Sequence, residues 1–496
     1  MKIKNKALML GIIFLVPLAL LIIYGEQPLL ERHAYRQTQT ALTTFWIIQE
    51  GLRLDYLTPV LGFPWSVPLE FPMYQVIVAL FVNIFSVSLD LGGRMVGLIF
   101  YYLILIPLYL ILKPFGKKAI FIGMVMYITS PLELFYSKAF LIESTVTFLA
   151  LISLYSYLKY LDSNLKKYLI IFLISTTLAG LQKITTLLPL LLVYFSDNIY
   201  FIFKYKNFPR NRIVVVLGIA LSFLPSIFWS LYSDIIKNTG YLSSYISSTQ
   251  MREWIFGTIQ FRLDILYWAK VFIFRLILLG GLIVPVSLIV YRYFKAKIVF
   301  NRISFLFLIT SLLGPLIFAP LYFVHDYYYN SSIAFMICAL AIILCTNEAE
   351  LINKKFFSII SAILFINYII YGLFLNNFNN KIADIDKNSH EIGLYLKDKV
   401  KKADVIVILG LDWNSTIPYY SQHYSLMLPD WIPLENPVVS NPEKYIDGRN
   451  IGAIVVCRSG LWRENFTDQT VSDLMSKING NLFEYKSCFI KIGNKE

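Results

Sequence analysis

Charge is scarce in this 496-residue chain. Only 15% of its residues are Asp, Glu, Lys or Arg, 57% are hydrophobic, and the mean hydropathy is +0.62. An ordinary water-soluble globular domain carries about 25% charged residues, so that class is excluded. Acid is scarcer than base, with 31 Asp and Glu against 44 Lys and Arg, a net charge of +13. A nucleic-acid binder would show such a surplus, but here much of it sits in short loops between apolar runs, where it sets topology. Nucleic acid is therefore not expected as a partner. Cysteine is rare as well. Four residues make no disulfide framework, and no Cys/His spacing resembles a zinc or haem site. Internal repeats and low-complexity tracts are absent.

Apolar aromatic sequence is what the chain has in quantity. Its 38 Phe and 34 Tyr suit lipid-facing helices with aromatic belts at the interfaces. A span needs ~20 apolar residues, and candidates lie at 7–23, 71–89, 94–112, 119–132, 144–161, 168–182, 184–203, 213–232, 268–291, 303–320, 328–346 and 356–375. The basic clusters are Lys113/Lys117/Lys118, Lys159/Lys166/Lys167, Lys204/Lys206/Arg210/Arg212, Arg292/Lys295/Lys297/Arg302 and Lys354/Lys355. All of them fall inside, together with the N-terminus, only if 71–89 does not cross. That segment starts Phe71-Pro72, contains Asn83 and ends at Asp90-Leu91-Gly92-Gly93, so it reads as a membrane-lying or re-entrant helix on the outer face. Lys2, Lys4 and Lys6 before Ala7–Ile23 have the look of a signal peptide. Tyr24-Gly25-Glu26-Gln27-Pro28 is a poor cleavage site, however, and a retained first helix is expected.

The prediction is a mainly α, polytopic membrane protein with about eleven transmembrane helices over residues 1–375, its first outer loop being 24–93. The outer face also receives 133–143, Gln182–Lys183, 233–267, 321–327 and everything after 375. Residues 376–496 differ in kind. Asp384–Lys402 has helical periodicity, Asp404–Leu409 is an apolar run suited to a buried strand, and Tyr419–Tyr424 and a Pro-rich loop at 429–442 follow. Further runs at Ile451–Cys457 and Cys488–Ile492 flank a helix-like 467–479. This alternation predicts a small extracytoplasmic α/β domain. Cys457 and Cys488 would then lie on the oxidising side, where a disulfide and two free buried thiols are equally compatible.

Several polar groups stand where a bilayer makes them expensive. Glu26–Trp46 packs Glu26, Glu31, Arg32, His33, Arg36 and Gln37 beside the first span. His33, Gln37 and Thr40 share a helical face, with Arg36 able to reach Thr40. Arg36 suits a bidentate phosphate contact, and Glu31 or His33 a general base; an interfacial amphipathic helix touching headgroups explains the same residues. Glu143 opens a long apolar span. It fits a general base or a partner for a sugar acceptor, with Lys138 as an anion contact, or else a carboxylate favoured by a helix N-terminus. Lys183 lies between two spans on the outer side, against the inside bias. A donor phosphate or anionic headgroup gives it a reason, and snorkelling is the alternative. His325-Asp326-Tyr327-Tyr328-Tyr329 ends a span; a His beside a carboxylate titrates usefully, while belt packing accounts for the tyrosines. Arg252-Glu253-Trp254 and Arg262 with Asp264, in the long outer loop, read as solvated or interfacial pairs. Gly410-Leu411-Asp412-Trp413-Asn414-Ser415 fits either a sugar-stacking loop or an Asn/Asp-capped turn.

On these residues the chain resembles the GT-C-type integral membrane glycosyltransferases. The group is that of the dolichyl-phosphate-mannose protein mannosyltransferases and aminoarabinose transferases, in bacteria called family-39-like. The first outer loop of a bacterial branch contains H-x-W-R-Q-x-D-T-A, and here it reads His33-Ala34-Tyr35-Arg36-Gln37-Thr38-Gln39-Thr40-Ala41. Glu70-Phe71-Pro72-Met73-Tyr74 resembles the group's Pro-x-Tyr segment before an outer juxtamembrane helix. Ser137-Lys138 with Glu143 resembles S-R-x(4)-D/E, and Ala179-Gly180-Leu181-Gln182-Lys183 resembles A-x-L-x-K. Val407–Tyr420 resembles the branch's extracytoplasmic tail. Two departures stand out. Gln39 replaces the usual first-loop Asp, and Lys138 replaces an Arg and so lacks its fork.

The resemblance implies inverting transfer of a sugar from a polyprenyl-phosphate donor to a lipid, glycan or protein acceptor outside the cell membrane. Arg36, Lys183 and Lys138 would bind the donor phosphate, and Glu143, Glu31 or His33 would act as base. Gln37, Tyr35, His325 and Tyr327 would contact substrate. Arg36, Lys183 and Glu143 are expected in one outer cavity. A divalent metal is compatible, but nothing in the sequence demands one. The alternatives are a lipid-linked-sugar flippase and an inactive glycan-binding scaffold. Against a flippase, the polar groups gather at span ends on one face, and no two halves correspond.

Overall fold

The computed structural model describes residues 3–295, 298–347, 349–377, 384–429, 436–457, 468–486 and 488–493. The chain is mostly helical, with a five-stranded sheet near its C-terminus. Its contacts divide it into two compact units. One holds residues 1–26, 93–229 and 252–379, and the other 27–92, 230–251 and 380–496.

The first unit is a helical bundle. Tyr329–Asn347 is apolar on every face, and Tyr329 through Leu344 are all buried, as an all-round apolar helix requires. The helix Arg302–Ile317 packs on it and starts at Asn301, whose side-chain oxygen accepts the Ser304 N–H at 2.9 Å. Outer helices keep an apolar stripe uncovered: on Arg210–Lys237, Leu217, Leu221 and Phe228 are all largely exposed. Between helices, small polar groups pair. Ser153 meets both Thr176 and Tyr194 at 2.6 Å, binding Glu143–Ser163 to its two successors.

Among the described residues, five helices are long and apolar enough to cross a membrane: Leu89–Phe115, Ile184–Tyr205, Arg210–Lys237, Asp326–Asn347 and Lys354–Leu375. A sixth span arises if Ile265–Leu279 and Ile283–Lys295, bent by 108°, are one. The sequence reads 268–291 as a single run. Gly281 breaks it, with φ +73 in close approach to Asn367 and Pro131, a conformation and a space that admit no side chain. Residues 71–89 form only the 13-residue helix Met73–Phe85. At about 20 Å it is too short to span.

In the second unit the strands are β1 (Val405–Leu409), β2 (Tyr424–Leu428), β3 (Ile451–Cys457), β4 (Leu482–Tyr485) and β5 (Cys488–Ile492), in the order β2-β1-β3-β5-β4. β1 lies parallel to β2 and β3, while β5 runs antiparallel to β3 and β4. Every residue of β1 is buried, which its unbroken VIVIL run requires. β2 and β4 add to the three predicted strands. The predicted helix 384–402 ends at Lys397, and of the Pro-rich loop 429–442 residues 430–435 lie outside the described residues while Pro437–Ser440 form a short helix. The outer edge of β2 is not bare. Ser425 and Met427 donate to Pro59 and Val60 carbonyls at 3.1 and 2.8 Å, so the first loop covers it. Tyr419 and Tyr420 donate to the two oxygens of Asp90 at 2.5 and 3.0 Å, and Tyr420 accepts the Leu29 N–H at 2.7 Å. The tail and the first loop thus form one folded body. Cys457 and Cys488, opposite each other on β3 and β5, are disulfide-bonded.

Candidate active site

Glu143 is the first residue of Glu143–Ser163. Lys183 is the extended residue (φ −161, ψ 100) that separates Lys166–Gln182 from Ile184–Tyr205. Its N–H closes the first helix on Ala179, and its carbonyl opens the second by accepting from Thr186. The β-branched run Ile184-Thr185-Thr186 weakens helix propensity there. The break turns Lys183 to Glu143: Nζ donates to Oε1 at 2.5 Å, with the two side chains 10% and 5% exposed. The same ammonium lies 3.6 Å from the Tyr328 ring centre and 5.3 Å from that of Tyr327. Tyr327 stacks on His325 at 5.3 Å, and Tyr136 stands edge-on to Tyr327 while donating to Asp326.

Four of the predicted residues, Glu143, Lys183, Tyr327 and His325, are thus gathered from three distant stretches. The tyrosines hold a cation as well as packing. Tyr136 escaped the sequence reading, although it directly precedes the Ser137-Lys138 motif. Lys138 is buried, with its ammonium 5.2 Å from the Tyr24 ring and 5.7 Å from that of Phe135. The second oxygen of Glu143 and both amide atoms of Gln182 are buried without a hydrogen-bond partner among the described residues. Unpaired buried polar atoms are expensive to keep, and here they fall on Glu143 itself and on the residue that precedes its partner Lys183.

Arg36 lies in the second unit, on the helix Ala34–Glu50. Its guanidinium donates to Glu70 Oε1 at 2.6 Å and to Gln39 Oε1 at 2.5 Å. Gln39, standing where the resembling branch has Asp, is therefore a neutral acceptor for Arg36, and the carboxylate partner is Glu70. Arg36, Gln39, Thr40, Thr43, Tyr56, Glu70 and Gln75 line a small cavity. Tyr56 fixes its wall by donating to the Glu70 carbonyl and accepting the Leu69 N–H, and burial pushes its phenol pKa well up.

One local expectation is corrected. The helix begins at Ala34, so His33 precedes it as a left-handed residue (φ 60) and does not share a helical face with Gln37 and Thr40. Thr40 donates to the Arg36 carbonyl at 3.0 Å, as a helical threonine does. Glu31 and Gln37 are buried, Gln37 donating to the Arg32 carbonyl, and Tyr35 stands edge-on to His33. In the tail, Asn414 accepts from Thr416, so the Asn/Asp-turn reading describes that loop. Among the described residues no group of three or more His, Cys, Asp or Glu is placed to hold a metal.

A family model described as dolichyl-phosphate-mannose-protein mannosyltransferase matches residues 66–229. No curated protein sequence matches the chain. Among solved structures, ArnT of Cupriavidus metallidurans bound to undecaprenyl phosphate superposes with a TM-score of 0.65 at 10% identity, covering 97% of both chains. The fold is that of the GT-C glycosyltransferases. The oligosaccharyltransferase of Archaeoglobus fulgidus in its apo form, also of the GT-C type, gives a TM-score of 0.58 at 12% identity, over 90% of this chain and 69% of its own. The same enzyme, AglB, in complex with an inhibitory peptide and a dolichol-phosphate gives 0.54 at 13% identity, over 92% and 70%. At such identities the likeness is one of GT-C fold. The family-model match covers Glu70, Lys138, Glu143 and Lys183, and lies C-terminal to Arg36.

Proposed function

We propose that the protein is a membrane glycosyltransferase that moves a sugar, with inversion, from a polyprenyl-phosphate donor to a lipid, glycan or protein acceptor. In this reading the chain crosses the membrane about eleven times, and the first loop and tail 376–496 lie on the outer face. The observation that carries the reading is the buried Glu143–Lys183 pair at the ends of two apolar helices, backed by two tyrosine rings. Lys183 and Lys138 hold the donor phosphate, and Arg36 is a further candidate contact for it. As the phosphate takes over the Lys183 ammonium, Glu143 becomes free to accept the proton of the acceptor hydroxyl or amine. The acceptor attacks the anomeric carbon, the bond from that carbon to the phosphate oxygen breaks on the opposite face, and the lipid phosphate leaves with the electron pair, stabilised by the cations. Glu31 and His33 are the other candidate bases. Tyr35, Gln37, His325 and Tyr327 offer stacking and hydrogen bonds to the sugars.

The match to a mannosyltransferase model and the fold shared with ArnT and AglB, whose solved structures include complexes with lipid phosphates, support this assignment. Membranes containing the chain, given a labelled undecaprenyl-phosphate sugar, test it. Label on an acceptor with release of lipid phosphate supports transfer. Label that crosses the bilayer still attached to its lipid identifies a flippase, and retention without either outcome identifies a glycan-binding scaffold.

A further inference from the structure

A second cavity, of about 680 Å³, opens at the other end of Ile184–Tyr205. Roughly 30 Å of helix separates Lys183 from Lys204, the thickness of a bilayer's hydrocarbon core. The polar floor is Asp197, which is buried and accepts from the Tyr157 hydroxyl at 2.6 Å, from Arg212 at 3.2 Å, and from two nitrogens of Arg302 at 2.7 and 2.6 Å. Two guanidiniums on one carboxylate leave positive charge over, and Lys204 adds more at the rim. The lining therefore carries three cations and one anion, a net of +2. The Arg302 side chain keeps 38% of its surface exposed. The walls are apolar, from Val193, Phe305 and Ile309, and Phe203, Tyr205 and Phe305 turn large apolar surfaces outward. None of these residues belongs to the candidate active site.

We infer that this cavity binds the headgroup of an anionic phospholipid. The phosphodiester lies against Lys204 and Arg302, and the first acyl carbons lie on the apolar wall. A basic pocket between spanning helices has the electrostatics for such a headgroup, and its volume lies within the range of small-molecule sites. Free phosphate would make no use of the apolar wall. The inference is independent of the transferase reading, because the active site it leaves untouched is at the far end of the helix.

The test is retention of phosphatidylglycerol or phosphatidylcholine, with identical acyl chains, by the purified full-length protein in detergent, read by native mass spectrometry. One phosphatidylglycerol per chain is expected to persist where phosphatidylcholine washes out. Lys204→Gln, at an exposed position, should keep the melting temperature and weaken retention about fivefold. Lys166→Gln, an exposed lysine outside the cavity, should leave retention unchanged. Equal retention of both lipids, or wild-type retention by Lys204→Gln, overturns the inference. So does equal weakening by Lys166→Gln, which means diffuse binding, or displacement of the lipid by millimolar inorganic phosphate, which means a free-anion site.

Discussion

Lys183 Nζ and Glu143 Oε1 lie 2.5 Å apart, 40 residues distant in sequence and almost removed from solvent. The pair is asymmetric. Lys183 also rests on the Tyr328 ring, whereas the second oxygen of Glu143 has no hydrogen-bond partner among the described residues. Removing the cation therefore strands a buried carboxylate, while Glu143→Gln leaves an amide oxygen to accept from Lys183. Lys183→Met should destabilise the protein by about 3–5 kcal/mol, and Glu143→Gln by less than half of that. The double variant should recover most of the stability that Lys183→Met loses and none of the transfer. Melting temperatures of the four proteins in one detergent complete the cycle.

Arg36 is positioned by Glu70 and Gln39 through both ends of its guanidinium. Arg36→Lys keeps the charge and loses the fork. The donor KM is expected to rise at least about tenfold, with a smaller change in kcat, as steady-state kinetics over donor concentration will show. Gln39→Glu, which brings a second carboxylate to the same guanidinium, should weaken donor binding in the same assay.

In the tail, burial pushes the Asp386 carboxyl up from 3.8 to about 6, with the Asn414 hydrogen bond opposing the shift. Between those values the folded protein holds a proton that the unfolded chain releases. The contribution of Asp386 to stability should therefore be greatest below about pH 4, fall as pH rises to about 6, and level off above it. The whole fall amounts to about 2–3 kcal/mol. Asp386→Asn should flatten this window and raise the melting temperature at pH 7, measured by thermal scans from pH 4 to 8.

The Cys457–Cys488 bridge ties β3 to β5 across 31 residues. A loop of that length corresponds to about 3–4 kcal/mol of chain-entropy stabilisation. Cys457→Ser with Cys488→Ser should lower the melting temperature of the tail while transfer per folded molecule changes little. Limited proteolysis of the tail reports the loss directly.

Much of this was legible in the residues. Val405–Leu409 and Ile451–Cys457 are unbroken apolar runs, and buried strands at the middle of a sheet have no other way to read. Tyr424–Leu428 was missed because YSLML has one serine and no boundary residue, and its burial comes from partners on both sides, including the first loop. Glu143 and Lys183 stood out because a bilayer makes charge conspicuous. Their mutual distance was hidden, since it depends on where one helix stops. Glu70 lies within the Glu70-Phe71-Pro72-Met73-Tyr74 motif, but its pairing with Arg36, 34 residues away, leaves no periodic trace in the sequence. The bend at Gly281 was masked by an apolar run that continues through it.

The central claim is that Glu143 takes the proton from the acceptor. It is tested by transfer from a labelled undecaprenyl-phosphate sugar, with wild type and Glu143→Gln compared per folded molecule at saturating donor. The account predicts a loss of roughly 10²- to 10⁴-fold with donor binding retained. Transfer by Glu143→Gln at the wild-type rate would contradict it.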